Sequence, residues 1–408
     1  MNQNLTPVRK TIVGIQFLFV AFGATVLMPL LVGLDPATAM FSAGVGTLIF
    51  HAVTKGMIPI FLGSSFAYIA PIVLVSKEWG LTGALTGFLG VAVVYFVVSA
   101  LIRWRGVAFL DKLLPPVVVG PTIILIGLAL APTAVDMAKQ DWSLAVISLA
   151  VAIAVLTWAR GLFRLLPVAI GVAVGYIVAL LMGKVDFSAL VAAPWFALPV
   201  NVAHPQLPHF AWQPFLMMMP VALATIIEHV GDMYVISNVA DKDFIHRPGL
   251  HRTIFGDGLA VMFGAIIGGP PVTTYSEVTG AVQITRVTDP SVLRITAVTA
   301  IVFSVIGKMN AFLQSIPRAV LGGIMLLLFG TIASVGIQNM VRHNIDFGET
   351  RNVIITSLML ILGVGGAVLS AGSFSLGGIA LCALVGILLN LILPDKKNEP
   401  ETDDLNKN

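Results

Sequence analysis

Apolar positions along this chain are gathered into long blocks, set apart by short charged stretches. No charged residue interrupts Thr11 to Leu34, Trp79 to Ile102, Leu113 to Val135, Ala319 to Val341 or Asn352 to Pro394. Each block supplies at least the ~20 residues that a helix needs to cross hydrocarbon, and the last supplies enough for two crossings. At about 28 residues per crossing and connection, the pattern predicts roughly 14 membrane helices. A soluble protein with buried helices does not carry apolar runs of this length. The predicted class is an all-α polytopic membrane protein.

Composition sharpens this without changing it. Of 408 residues, 57% are hydrophobic and 11% charged, against roughly 25% charged in an ordinary soluble domain. Five basic residues, Lys77, Lys139, Lys184, Lys308 and Arg318, fall on one side of a fourteen-span topology, and the rest of the 23 on the other. Basic residues gather on the cytoplasmic side, so both termini are predicted cytoplasmic. Arg9 and Lys10 precede a run too long for a cleaved signal, which makes it a first membrane helix. The net charge of +3 comes with no basic stripe, so no nucleic-acid partner is expected. The single cysteine, Cys382, can form no intrachain disulfide.

Two copies of one pattern are visible. Leu114-Pro115-Pro116-Val117-Val118-Val119-Gly120 is echoed by Ile316-Pro317-Arg318-Ala319-Val320-Leu321-Gly322, and each helix so opened holds a second glycine, Gly127 or Gly330. Ahead of each lies a small, hydroxyl-rich interruption: Leu62 to Tyr68 near Pro59 and Pro71, and Gly269 to Glu277 with Pro270 and Pro271. Seven spans per copy would place the copies in opposite orientations, as in many transporters. The Pro-rich stretch Pro194 to Pro214 is the expected linker, lying outside.

Three acids, Glu228, Asp232 and Glu277, stand within this apolar context. A carboxylate in hydrocarbon is costly, so each is a functional candidate. Glu228 and Asp232 are four residues apart, on one helix face. Glu277 follows the second interruption, where a broken helix would turn bare backbone into a cavity. Helix-start N–H groups bind carbonyl oxygens, carboxylates accept from N–H donors, and Phe66, Tyr275 and Phe329 offer flat apolar faces. Together these suit a small planar heterocycle with alternating C=O and N–H groups, a pyrimidine or an oxopurine.

Specific stretches go further. Phe22-Gly23-Ala24-Thr25-Val26-Leu27, Leu62 to Ala67, Glu228-His229-Val230-Gly231, Pro248-Gly249-Leu250-His251-Arg252 and Ile284-Thr285-Arg286-Val287 resemble the nucleobase–ascorbate transporter family, in its uracil-carrying branch. The resemblance runs from about Thr11 to Leu393. The family signature is matched by Glu277-Val278-Thr279-Gly280 with Thr285-Arg286.

That resemblance implies proton-coupled nucleobase uptake, uracil first, by a homodimer in the bacterial inner membrane. The proton is the coupling ion, and no other cofactor is implied. It also implies two inverted seven-span repeats, residues 1–205 and 206–394, with broken helices or short strands in spans 3 and 10 and a cytoplasmic tail at 395–408. Spans 1–4 and 8–11 would form a core domain; spans 5–7 and 12–14 would form a gate. The implied base-contacting residues are Ala24, Ser65, Phe66, Glu228, Tyr275, Ser276, Glu277 and Phe329.

The chain departs from the family at Val278, where the signature has Asn, and at Phe329, where uracil carriers have Tyr. Asp232, a His in those carriers, and Asp257 look like the purine branch, whereas Glu277 looks like the uracil branch. An oxopurine such as xanthine therefore stays open as substrate. Uracil is neutral near pH 7, so an acid must bring the charge. Asp232 is the expected proton carrier, alone or with Glu228, against the alternative of a structural acid; Asp257 is a further possible participant. His229 is expected to be structural. Of other classes, an intramembrane aspartyl protease would need Gly-x-Gly-Asp and Tyr-Asp, neither of which occurs. An anion carrier of the same architecture is opposed by three pocket acids. No His cluster with metal-ligand spacing is seen.

Overall fold

The computed structural model describes residues 6–107, 114–199, 210–371 and 374–394. The expected tail, 395–408, and the middle of the expected linker lie outside these.

Helices dominate. Besides three short ones of five to eight residues, Ser188–Ala192, Trp212–Met218 and Gly307–Gln314, they are, in chain order, α1 (Pro7–Val32), α2 (Pro36–Val53), α3 (Ile69–Arg105), α4 (Pro116–Ala138), α5 (Trp142–Trp158), α6 (Pro167–Leu181), α7 (Val221–Ala240), α8 (Leu250–Ile267), α9 (Ser276–Thr285), α10 (Pro290–Ser304), α11 (Arg318–Arg342), α12 (Thr350–Val364) and α13 (Gly378–Ile392). Several begin with proline, whose missing N–H costs nothing in a first turn. Asp35 and Asp289 each precede such a proline and cap the helix, accepting from Thr38 N at 2.9 Å and Ser291 N at 2.8 Å. Helix α3 is two helices joined at Gly80, whose backbone (φ 66°, ψ −178°) is non-helical.

Among the described residues, seven helices are long and apolar enough to cross a membrane, and five shorter ones are also apolar. Two interrupted segments complete the set, each a short strand leading into a helix. They pair with each other. Strand β1 (Leu62–Ser64) runs antiparallel to β2 (Val272–Thr274), with Gly63 opposite Thr273 at the centre. The two interruptions foreseen in the sequence are thus one two-stranded sheet. Gly63 is required there: a Cβ would lie 2.6 Å from the Tyr275 ring.

Packing repeats with the halves exchanged. Helix α2 packs on α10, and its counterpart α8 packs on α3 beyond Gly80. Helices α4 and α11, which carry the two proline–glycine motifs, lie antiparallel against each other. Gly120 meets Gly336, Gly127 meets the Phe329 carbonyl, and Gly322 meets Ala138. Gly330 differs from its counterpart Gly127, having no neighbour within 4 Å of a Cβ.

One element was not foreseen. The apolar run from Asn352 to Pro394 is broken by a hairpin, β3 (Val368–Ala371) with β4 (Phe374–Gly377), before α13 begins. It carries no charge, so the charge-free run conceals it, although Gly365, Gly366, Gly377 and Gly378 around it are a breaker signal.

Candidate functional site

The β1–β2 pair sets two helix starts against one cavity. After β1 the chain makes a single 3-10 turn, Phe66–Tyr68, into α3; after β2 it enters α9 at Ser276. First-turn N–H groups have no carbonyl of their own helix to bond. Ser65 accepts from Ala67 N through its hydroxyl and from Tyr68 N through its carbonyl, both at 3.3 Å, and so shapes the turn that leads from β1 into α3. The strands are anchored from behind: Leu62 N donates to Thr47 Oγ1 at 2.9 Å, and Tyr275 N to Phe61 O at 3.2 Å.

The cavity measures about 230 Å³, below the roughly 300–1,000 Å³ of pockets for drug-sized ligands. A single small ring suits that space. Ser64, Ser65, Glu228, Thr274, Tyr275, Ser276 and Glu277 form its polar wall, with the Phe66 ring among them. Ile123 and Ile126 of α4, with Ile332 and Val335 of α11, form an apolar wall relieved by Thr331. An edge of hydrogen-bonding groups therefore faces a greasy surface, the division found around a planar heterocycle.

Of the residues singled out in the sequence, Ser65, Phe66, Glu228, Tyr275, Ser276 and Glu277 line the cavity. Phe329 lies behind it, its ring edge-on to Phe66 with centroids 5.5 Å apart. Ala24 is on α1, but its side chain lies outside the described residues; a Cβ on its neighbour Gly23 would come within 3.9 Å of the Tyr275 hydroxyl. Asp232 is buried next to the cavity and is reached through Ser276. The Ser276 hydroxyl lies 2.9 Å from Asp232 Oδ2 and 3.0 Å from Glu228 Oε1. One hydroxyl hydrogen serves one acceptor at a time. The second short contact closes when that carboxyl itself donates to the serine oxygen.

Asp257 sits elsewhere, behind the strands and fully buried. Its Oδ2 accepts from Thr273 Oγ1 at 3.1 Å and from Thr274 N and Oγ1, both at 3.3 Å. His229, also fully buried, reaches Asp257 Oδ2 at 3.0 Å, Thr274 Oγ1 at 2.6 Å and Thr253 Oγ1 at 2.7 Å. Tyr95 extends this network to Thr273 and Thr225. Both residues thus stand where they hold β2 in place, one layer from the cavity.

Sequence reasoning passed over the apolar wall. Ile123, Ile126, Ile332 and Val335 are unremarkable in apolar runs, and only the spatial crossing of α4 and α11 brings them together. Thr331, a hydroxyl two residues beyond Phe329, was a usable signal. Among the described residues no His, Cys, Asp or Glu cluster could hold a metal ion.

The arrangement has counterparts. A family model described as a permease family matches residues 9–372. The chain belongs to that family. This permease is 45% identical to a probable uracil permease of Haemophilus influenzae, over 98% of each chain. It is 47% identical to the uracil permease of Bacillus caldolyticus, over 95% of this chain and 93% of that one. The resemblance to nucleobase transporters read from the motifs is borne out over nearly the whole permease. In architecture it is similar to the transmembrane domain of the cyanobacterial bicarbonate transporter BicA, with a TM-score of 0.60 at 16% identity over 94% of this chain and 96% of that one. At that identity the likeness extends to the fold alone. The permease is a multi-pass membrane protein.

Proposed function

We propose that this permease takes up uracil across the bacterial inner membrane together with a proton. The observation that carries the reading is the meeting of two helix starts and two carboxylates, Glu228 and Glu277, around one small cavity. Uracil presents two ring N–H donors and two carbonyl acceptors on one edge. Glu228 and Glu277 accept the N–H bonds, while main-chain N–H groups near Phe66 and Ser276 receive the carbonyls. The C–H edge lies toward Ile123, Ile126 and Ile332. The names of the relatives support uracil over an oxopurine.

Ser276 is the bridge for the proton in this reading. With one proton on the Asp232–Glu228 pair, both short contacts to its hydroxyl are satisfied hydrogen bonds; with none, one is a contact between bare acceptors. Base and proton then bind as a unit, because Glu228 serves both. The exchanged packing of α2–α10 and α8–α3 supports a core domain, and the α4–α11 crossing supports a gate. Counting α3 on either side of Gly80 as two crossings, this reading has fourteen spans with both termini cytoplasmic. The working unit is a homodimer. Like-signed acids in the cavity speak against an anion as cargo.

The test is labelled uracil uptake into proteoliposomes with an imposed pH gradient, competed by unlabelled uracil, xanthine, hypoxanthine and thymine. Uracil should compete best, and uptake should follow the gradient. Preferential competition by xanthine would overturn the substrate, and uptake indifferent to the gradient would overturn the coupling.

A further inference from the structure

A second cavity lies far along the same helices, where α3 ends and α8 begins. It measures about 490 Å³ and is lined by Phe96, Ser99 and Arg103 of α3 with His251, Arg252 and Phe255 of α8. The two helices touch closely one turn deeper, where a Cβ on Gly258 would lie 2.9 Å from the Phe96 ring. At the level of the cavity they stay tied by a hydrogen bond from Ser99 Oγ to His251 O at 2.6 Å. The opening between them is therefore built by the fold.

Its electrostatics are one-sided. Two guanidiniums and an imidazole share the space, and among the described residues neither Arg103 nor Arg252 has an ion pair or a side-chain hydrogen bond. His251 and Arg252 also stand in the first turn of α8, which has no acidic residue and no side-chain cap. A helix start already carries partial positive charge, so the Arg252 guanidinium there adds repulsion. Such an arrangement is stabilised by an anion between the arginines. Guanidinium forks match phosphate oxygens in pairs.

The cavity also has an apolar flank. The Phe96 and Phe255 rings pack with centroids 5.2 Å apart, and Phe255 is 40% exposed. Trp104, next to Arg103, is 74% exposed at the end of its membrane helix, where such rings mark the headgroup level. A free phosphate would use the arginines and leave the aromatic flank bare. We propose that this cavity binds the phosphate of an anionic phospholipid, with Arg103, Arg252 and His251 on the headgroup and the Phe96–Phe255 pair along the acyl chain. Basic pockets between membrane helices hold anionic headgroups in this way. The lipid thereby ties the end of α3 to the start of α8.

The experiment uses the full chain, purified and delipidated in detergent. Phosphatidylglycerol, phosphatidylcholine and inorganic phosphate are each titrated while melting temperature and retained lipid by native mass spectrometry are read. Phosphatidylglycerol should stay bound and raise the melting temperature, whereas phosphatidylcholine should not. The double variant Arg103→Gln/Arg252→Gln should lose that retention to the phosphatidylcholine level, with Arg342→Gln unchanged as control. Ala100 also lines the cavity, and Ala100→Trp, which fills it while sparing the arginines, should do the same, so a poorly folding double variant does not decide the matter. Equal stabilisation by inorganic phosphate, with no added effect of phosphatidylglycerol, would overturn the lipid and leave a free anion. Retention unchanged in both variants would overturn the site.

Discussion

The Ser276 hydroxyl stands 2.9 Å from Asp232 Oδ2, and its other short contact is to Glu228. Glu228 and Asp232 lie one helical turn apart on α7, and the serine belongs to α9, so the pair is closed by a residue from another element. Ser276→Ala removes that bridge and leaves both acids. Base exchange at equal pH should survive, while gradient-driven accumulation falls roughly ten- to a hundredfold, as the loss of a charge-assisted hydrogen bond of about 1.5–3 kcal/mol implies. Counterflow measured beside gradient-driven uptake separates the two. Accumulation equal to the parent protein would remove Ser276 from coupling.

Asp232→Asn tests the same pair from its other end. The amide cannot exchange a proton, so base binding should persist and lose its pH dependence. Uptake against a gradient should collapse. A variant that still concentrates uracil would make Asp232 structural and leave the proton on Glu228 or Glu277.

Glu228→Gln and Glu277→Gln should each abolish high-affinity base binding in calorimetry on folded protein. Each exchanges an acceptor of N–H bonds for an amide that also donates, a loss of about 1.5–3 kcal/mol. Glu277→Gln should weaken uracil more than xanthine. Equal loss of both bases would mean that Glu277 supports the pocket without discriminating.

The aromatic pair should divide its roles. Phe66 lines the cavity and Phe329 supports it from behind. Phe329→Ala removes an edge-to-face contact of about 0.5–1.5 kcal/mol, predicting a roughly two- to tenfold affinity loss. Phe66→Ala should cost more. The reverse order would place Phe329 on the base.

Two glycines at matching places in the repeat should respond oppositely. A Cβ on Gly127 would lie 2.3 Å from the Phe329 carbonyl, whereas one on Gly330 meets nothing within 4 Å. Gly127→Ala must push α4 from α11, an overpacking cost of about 1–3 kcal/mol, and should lower the melting temperature. Gly330→Ala should melt with the parent protein. Similar melting of both variants would contradict the observed crossing.

The acids, the interruptions and the repeat were legible because each violates the surrounding apolar pattern. Glu228 and Glu277 are costly in a membrane, and prolines beside Gly269 cannot continue a helix. What stayed hidden conforms to that pattern. Ile123 and Val335 look like any membrane-helix residue, and β3 and β4 carry no charge to interrupt the run that contains them. Asp257 drew notice by the same rule as Asp232. Only its three threonine and backbone donors and His229 distinguish an acid holding a strand from one beside the cavity.

The strand pair also constrains how the protein is made. Strand β1 has three residues, and its partner β2 lies more than two hundred residues later in the chain. A ribosome therefore delivers the first interrupted segment to the bilayer long before its mate exists. Until Thr274 emerges, those backbone groups must rest on Thr47, on water or on the insertion machinery. The cavity is consequently a late product of biogenesis, and truncated nascent chains halted before residue 272 should leave the Leu62–Ser64 segment open to chemical labelling that full-length chains resist.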